Sequence, residues 1–352
     1  MMDALLRDRY WHLLCHASEL AKPGDFLKLR WLDKDVVVAS DQGNLVVFDN
    51  VCPHRGAKLY AAEHGNGPIT CRYHGWSYNA GELHIPCRPK FREDEVALLS
   101  LTTLKIDWCG DFLFASPDPA HTLDEQLGDL FDQLAAISME VHGRHAWNAY
   151  TYDCDWKIAV ENALDSLHTP FVHKDSLNRL RLSDPVNSYV GMNSVARFEI
   201  CDAQMLKQLK STSRLFAGSE RFEGYMSIYL FPFTMLTSTF GYSYSLQHFF
   251  PSDVPQKANF YSRLLRGSLR QGLPSNALDH FFDSTAKVNE TVFEEDNSIC
   301  REMDFSRYDI NDLGRLSVDE EKIEYFRRGL QTVAAKGAAT TPQSLPASLR
   351  QP

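Results

Sequence analysis

Two short loops constrain this chain more than anything else in it. Cys52-Pro53-His54-Arg55-Gly56 and Cys71-Arg72-Tyr73-His74-Gly75-Trp76 each offer one thiol and one imidazole, with sixteen residues between His54 and Cys71. Structural zinc loops usually pair like with like, as C-x2-4-C and H-x3-5-H. Mixed pairs suit a two-iron, two-sulfide cluster in which one iron takes both cysteines and the other both histidines. Gly56 and Gly75 let the backbone crowd close to such a group, so that loop N–H groups reach its sulfides.

The loops sit in a stretch that reads as β. Residues 26–31, 35–39 and 45–48 are short apolar runs, and Asp41-Gln42-Gly43-Asn44 is the turn between the last two. Residues 24–120 read as short β segments between turn signals, and a first domain over 1–120 is expected. Thr122-Leu123-Asp124-Glu125 is a capping box, and Leu123, Leu127, Leu130, Phe131, Leu134 and Ile137 follow at helical spacing. That predicts a helical linker over 121–145.

A second ligand set begins downstream, in a run of 14 residues from Val160 to His173. Asn162, Asp165 and His168 are spaced i, i+3, i+6 and share one stripe of a helix. Trp156, Val160, Ala163, Leu164 and Leu167 are its expected core residues. His173 is five residues beyond His168, about 140° away around an ideal helix. Pro170 is expected to bend the chain and swing His173 back toward His168. Two converging neutral imidazoles form part of an iron site that needs a carboxylate as well. Asp165 can accept an imidazole N–H from His168 as a supporting partner.

The carboxylate is sought late in the chain, where 277–301 has helical character. Advancing about 100° per residue, Val288, Val292, Phe293, Ile299 and Cys300 cluster on one face. Asp296 falls within that face, Glu295 on its edge and Glu294 opposite. A carboxylate centred on an apolar face needs a cation to satisfy it, which favours Asp296 over Glu295.

The pattern Cys52-x-His54…Cys71-x2-His74, followed by Asn162-x2-Asp165-x2-His168-x4-His173, resembles the α-subunit of Rieske non-haem iron oxygenases. Phe293-Glu294-Glu295-Asp296 resembles the late ligand motif of the same family. The resemblance implies an α+β chain: an all-β Rieske domain, then a catalytic domain (146–335) with a curved antiparallel sheet flanked by helices. It implies a Rieske [2Fe-2S] cluster on Cys52, His54, Cys71 and His74, and a mononuclear Fe(II) on His168, His173 and Asp296. Asn162 matches a residue close to the iron that is not a tight ligand. Asp165 matches an aspartate that bridges an iron ligand to a cluster histidine of the neighbouring subunit. That likeness implies a head-to-tail homotrimer in which Asp165 links His168 to His74 of the next chain. Electrons are expected from NAD(P)H through a separate reductase, with or without a ferredoxin.

Between 187 and 265 the chain reads mostly as strands rich in aromatic residues. These could line an apolar pocket with a few hydroxyls and His248 as polar fixings, or simply form a sheet core. Cys15, Cys87, Cys109, Cys154, Cys201 and Cys300 lack partners at ligand spacing and are read as small buried hydrophobes. A formal charge of −10 gives no basic surface for nucleic acid. No uncharged apolar stretch reaches membrane-spanning length, and the acids in 1–9 do not suit a secretory signal. A cytoplasmic location is expected. The tail over 336–352, rich in Gly, Ala, Thr, Pro and Ser, is expected to be disordered.

These features predict a terminal oxygenase that hydroxylates or oxidatively demethylates a small aromatic substrate. The length of 352 residues resembles the shorter α-subunits that do this chemistry; longer members more commonly make cis-dihydrodiols, which is the alternative. A Rieske electron carrier would need only the first third of the chain. A zinc-stabilised binding protein would use the first ligand set alone.

Overall fold

The computed structural model describes residues 2–217, 222–274 and 276–336. The strand Lys34–Asp41 is buried along nearly its whole length, which is why its Val36-Val37-Val38 run does not alternate with polar residues. It pairs with Asp25–Trp31 on one side and Asn44–Asp49 on the other, and His64–Asn66 closes the four-stranded sheet. Gln42 and Gly43 both take left-handed φ (52° and 91°), the conformation a two-residue hairpin turn requires. Ile69–Thr70, Ser77–Asn79 and Glu82–His84 form a second, three-stranded sheet. The first ligand loop follows Asn44–Asp49, and the second joins Ile69–Thr70 to Ser77–Asn79.

The expected linker helix is two helices. Leu123–Leu127 carries the expected capping box, Gly128 breaks the run at φ 51°, and Leu130–Met139 resumes it. The next strand starts at Val141, inside the span expected to be linker. It forms one edge of a seven-stranded antiparallel sheet: Val141–Tyr152, Ala258–Gly267, Ser243–Pro251, Thr234–Thr239, Tyr225–Leu230, Asn193–Phe198, Val186–Val190 in spatial order. A helix that the sequence reading did not foresee, Ala203–Thr212, interrupts the strand run.

Helix Trp156–Leu164 packs against the long helix Asp279–Cys300 and the C-terminal helix Glu321–Lys336. Trp156, Val160 and Leu164 are buried in a core shared with Phe260 and Phe293. Tyr152 Oη donates to the carbonyl of Phe293 at 3.1 Å, and Asp153 N donates to Asn297 Oδ1 at 3.0 Å. The edge strand thus clamps the long helix at the turn that carries Asp296. Within the chain, Trp147 Nε1 donates to Glu63 and Arg30 N donates to Tyr261 Oη, tying the first unit to the large sheet.

Several expectations need correction. Cys87 and Cys201 are exposed, not buried. Val288 and Ile299 are exposed as well; the buried side of the long helix centres on Phe293 and Cys300, rotated from the face inferred from spacing. His248 does not face a pocket. It is fully buried, with Nε2 2.6 Å from the carbonyl of Leu13, where it joins the large sheet to the N-terminal strand. The tail expected over 336–352 lies, from 337 on, outside the described residues.

Candidate metal centres

The helix that carries Asn162 stops at Leu164, earlier than its periodicity suggests. Asp165 is extended (φ −72°, ψ 133°), so the bend comes here and not at Pro170. Its carboxylate accepts the backbone N–H of Leu167 at 2.7 Å, which stabilises the turn. Leu167, expected in the core, is exposed in consequence. Pro170 then lies in the first turn of a four-residue helix, Thr169–Val172, where a missing N–H costs nothing. His168 and His173 flank that helix, and His173 leaves helical geometry at ψ 39°. The two imidazoles come back to one side, Nε2 to Nε2 at 3.1 Å.

Asp296 meets them from the long helix. Its Oδ1 lies 3.0 Å from His173 Nε2 and 3.6 Å from His168 Nε2. One ligand atom from each of the three residues falls within 4.8 Å of the others. The two histidines are held from behind, and Asp296 is held at the oxygen that faces them. His168 Nδ1 faces Asp165 Oδ2 at 3.2 Å, and His173 Nδ1 faces Glu295 Oε2 at 2.7 Å. Asn162 Nδ2 donates to Asp296 Oδ1 at 2.7 Å, and Ser176 Oγ donates to Glu295. With both Nδ1 atoms engaged by carboxylates, the Nε2 lone pairs are left to converge on a common point. The donor set, two imidazoles and a carboxylate on one side, fits a non-haem Fe(II) with open positions.

Electrostatics agree. Burial alone would lower the histidines and raise Asp296. The Asp165 and Asp296 carboxylates instead lift His168 to about 9, and His173 is raised as well. The two imidazoles hold Asp296 down to about 2. A buried centre that tolerates protons this strongly is built for positive charge.

The first ligand set shows a different design. Cys52 and Cys71 are buried side by side, sharing a hydrogen bond, whereas His74 is exposed. Backbone N–H groups of His54 and Arg55 point at the Cys52 sulfur, and those of Tyr73 and His74 at the Cys71 sulfur. Burial raises the Cys52 thiol; on Cys71 the backbone donors overcome burial and lower it. The loops match each other: Gly56 N donates to the Cys52 carbonyl and Gly75 N to the Cys71 carbonyl. Both glycines have left-handed φ (75° and 72°), so conformation requires them at these turns. The His54 and His74 rings lie 4.6 Å apart, and His54 stacks flat on Trp76 at 4.5 Å. His54 Nδ1 is buried with no hydrogen-bond partner among the described residues. Two thiols inside, two imidazoles outside and an orphaned ring nitrogen fit a cluster bound by cysteines at its buried iron and histidines at its outer one.

A cavity of about 730 Å³ opens over His168, His173 and Asp296. A second chamber of about 320 Å³ shares Tyr225, Thr237, Gln247, Val292 and Phe293 with it. Glu295, the rival ligand by sequence, does not reach the convergence point; it meets the outer nitrogen of His173, Nδ1. Ser176 gave no sequence signal. Nor did Lys322, which lines the cavity from the C-terminal helix.

Comparison with known proteins gives the same division. Residues 10–100 match the family described as Rieske [2Fe-2S] domain, and residues 139–326 match the ring hydroxylating alpha subunit (catalytic domain). The chain is 30% identical over 202 residues to the anthranilate 1,2-dioxygenase large subunit of Acinetobacter baylyi, covering 53% of this chain and 42% of that protein. It is 28% identical over 174 residues to the glycine betaine monooxygenase oxygenase subunit of Chromohalobacter salexigens, covering 48% and 39%. The match thus spans about two fifths of the length of these curated relatives. The quaternary ammonium Rieske monooxygenase CntA superposes with a TM-score of 0.72 at 18% identity, over 94% of this chain and 90% of that one. Naphthalene 1,2-dioxygenase does so with 0.72 at 17%, over 96% and 89%. At these identities the likeness is one of fold. Inter-subunit electron transfer is described for a quaternary ammonium Rieske monooxygenase of this group.

Proposed function

This chain belongs to the ring-hydroxylating α-subunits of the Rieske oxygenases, and from that premise we propose that it is a terminal oxygenase that hydroxylates or oxidatively demethylates a small aromatic substrate. Family membership brings a Rieske 2Fe-2S cluster and a mononuclear iron as cofactors. In this reading Cys52, His54, Cys71 and His74 hold the cluster, and His168, His173 and Asp296 hold the iron. The observation that carries it is the convergence of those last three at the cavity, with Asp165, Glu295 and Asn162 each bracing one of them.

When bound, these groups supply single electrons and a site where dioxygen is activated. The protein's own residues do the rest. Asp165 and Glu295 fix which imidazole nitrogens face inward, and the Asn162 amide restrains the Asp296 carboxylate. Met235, Val292 and Phe293 supply apolar wall that excludes water. Tyr225, Ser227, Thr237 and Gln247 supply hydrogen-bonding groups to orient a substrate. Gln247 Nε2 donates to Thr237 Oγ1, and Tyr225 bonds the same threonine, so a substrate with polar substituents can exchange into this network; monooxygenation or demethylation is the reaction proposed. Relatives of both kinds, monooxygenases and dioxygenases, match the chain, and cis-dihydroxylation is the alternative outcome.

Electron delivery is proposed to run between subunits of a head-to-tail homotrimer. His74 is exposed, and Asp165, behind His168, is 18% exposed at its side chain. A second copy can therefore bring its His74 to Asp165 without unfolding either. The reductase, drawing on NAD(P)H directly or through a ferredoxin, would load the cluster, and a cytoplasmic location suits that supply.

The test is a single turnover of chemically reduced protein under isotopically labelled oxygen, with aromatics, methyl ethers and methylamines as candidate substrates. Gain of one labelled oxygen, or release of formaldehyde, supports the reading. Incorporation of two with loss of aromaticity overturns monooxygenation. Two irons instead of three per two labile sulfides would leave only an electron carrier.

A further inference from the structure

Lys322 is a buried cation beside the proposed iron site. It stands in the first turn of the C-terminal helix, and only 5% of it is exposed. Its ammonium lies 5.8 Å over the ring of Phe198 and, among the described residues, forms no hydrogen bond and no ion pair. Two other cations of low exposure, Arg327 and Lys157, are braced by carboxylates, whereas fully buried Arg263 has Glu19 only at 3.7 Å. Arg327 forks onto Glu161 at 2.7 Å, and Lys157 meets Asp155 at 2.7 Å. An ammonium taken out of water without an anion is costly, so a working state that supplies one is expected.

Lys322 lines the same cavity as His168, His173 and Asp296. The wall between is aromatic. Phe198 is paired across the sheet with Tyr225, their rings 5.7 Å apart, and the charge of Asp296 reaches Tyr225. The ammonium therefore stands two aromatic side chains along the wall from the proposed iron ligands. Burial pulls it down to about 8, against the pull of Asp165 and Glu321, so it is still charged at neutral pH. The other cavity carboxylates, Asp184 and Asp319, are exposed and screened by water, while Asp165 is engaged by His168 and Leu167 N.

We propose that Lys322 is the anchor for an anionic group of the substrate, so that this oxygenase takes an elongated aromatic carboxylate and attacks it at the end remote from the carboxylate. The inference rests on the reading of the cavity as an oxygenase site and adds the substrate class. Arg181, exposed on the cavity rim, adds positive charge at the entrance.

The test uses holoenzyme and calorimetric titration with three acids, benzoate, 3-phenylpropanoate and 4-phenylbutanoate, each against its primary amide. At least one acid should bind tenfold or more tightly than its amide. Lys322→Met, which keeps the apolar stem, should abolish that preference by weakening the acid while leaving the amide unchanged. Lys322→Arg should retain it, which guards against a folding defect in the methionine variant. Amides binding as well as acids in the natural protein, no binding by any acid, or equal weakening of acid and amide in Lys322→Met would each overturn the proposal. Single turnover of the reduced natural protein, run alongside, reports on the oxygenase reading separately: a protein that turns over amides and acids alike is an oxygenase without this anchor.

Discussion

Glu295 accepts a hydrogen bond from His173 Nδ1 at 2.7 Å, while its neighbour Asp296 lies 3.0 Å from the Nε2 of the same ring. Two adjacent carboxylates of one helix grip opposite edges of one imidazole. Only one faces the cavity, so the other is proposed to act through the ring. Glu295→Gln should lower iron affinity about 10–100-fold, the usual cost of losing such a partner. The cluster should remain fully loaded. Iron and sulfide analysis after dialysis against a chelator checks this; unchanged iron retention would make Glu295 a bystander.

Asp165 braces His168 as Glu295 braces His173, and is proposed in addition to be the contact for His74 of the next subunit. Asp165→Asn keeps the shape and can still meet an imidazole nitrogen, so both metal sites should load. Transfer of electrons from the reduced cluster to the iron site should stall. Rapid mixing of the reduced protein with oxygen and substrate, following the cluster's colour, measures the rate directly. Normal turnover of the variant would remove Asp165 from the electron path.

Much of this arrangement was legible because the ligand types are chemically specific and close in sequence. The two Cys–His loops needed no long-range information. His168 and His173 were readable as a pair, but the reason for their convergence was not: periodicity extends a helix through Asp165, and the side chain that stops it acts on the backbone of Leu167. Helix spacing reaches Asp296 through a face centred in the wrong place, since Val288 and Ile299 are exposed. Asp296 is reached all the same because the real buried side, around Phe293 and Cys300, still includes it. Lys322 could not be read at all. A lysine at the start of an amphipathic helix looks solvated, and only the packing of Phe198 shows it is not.

The metal-free site holds protons that a metal must displace. His168 is lifted from 6.5 to about 9 by carboxylates, so at neutral pH it is protonated, while a ligand must be neutral. Affinity for Zn(II), a redox-inert probe, should climb about tenfold per pH unit between pH 7 and 9 and then level off. Calorimetry in buffers of different ionisation enthalpy should count at least one proton released at pH 7.5. The sign for stability is the reverse. A raised histidine stabilises the folded metal-free chain below about pH 6.5, and that contribution is lost as pH rises through about 9. Metal-depleted protein should therefore melt lower at pH 9.5 than at pH 6.5. Proton-free metal binding at pH 7.5 would contradict the carboxylate-raised histidine.

The helix that carries Asn162 is also held from the far side. Arg327 Nε and Nη2 each donate to Glu161 at 2.7 Å, Tyr308 Oη donates to the same carboxylate, and both ion-pair partners are 12% exposed. Removing one partner strands the other, at a cost of about 3 kcal/mol, the low end for a buried pair. Arg327→Met should lose that much stability in urea unfolding. Arg327→Lys should lose nearly as much, since an ammonium cannot reproduce the fork. The double variant Glu161→Met with Arg327→Met should be more stable than Arg327→Met alone, because no unpaired charge is left in the interior. If the double variant loses the sum of the two single losses, the pair is not coupled, and the helix is held by its apolar face alone.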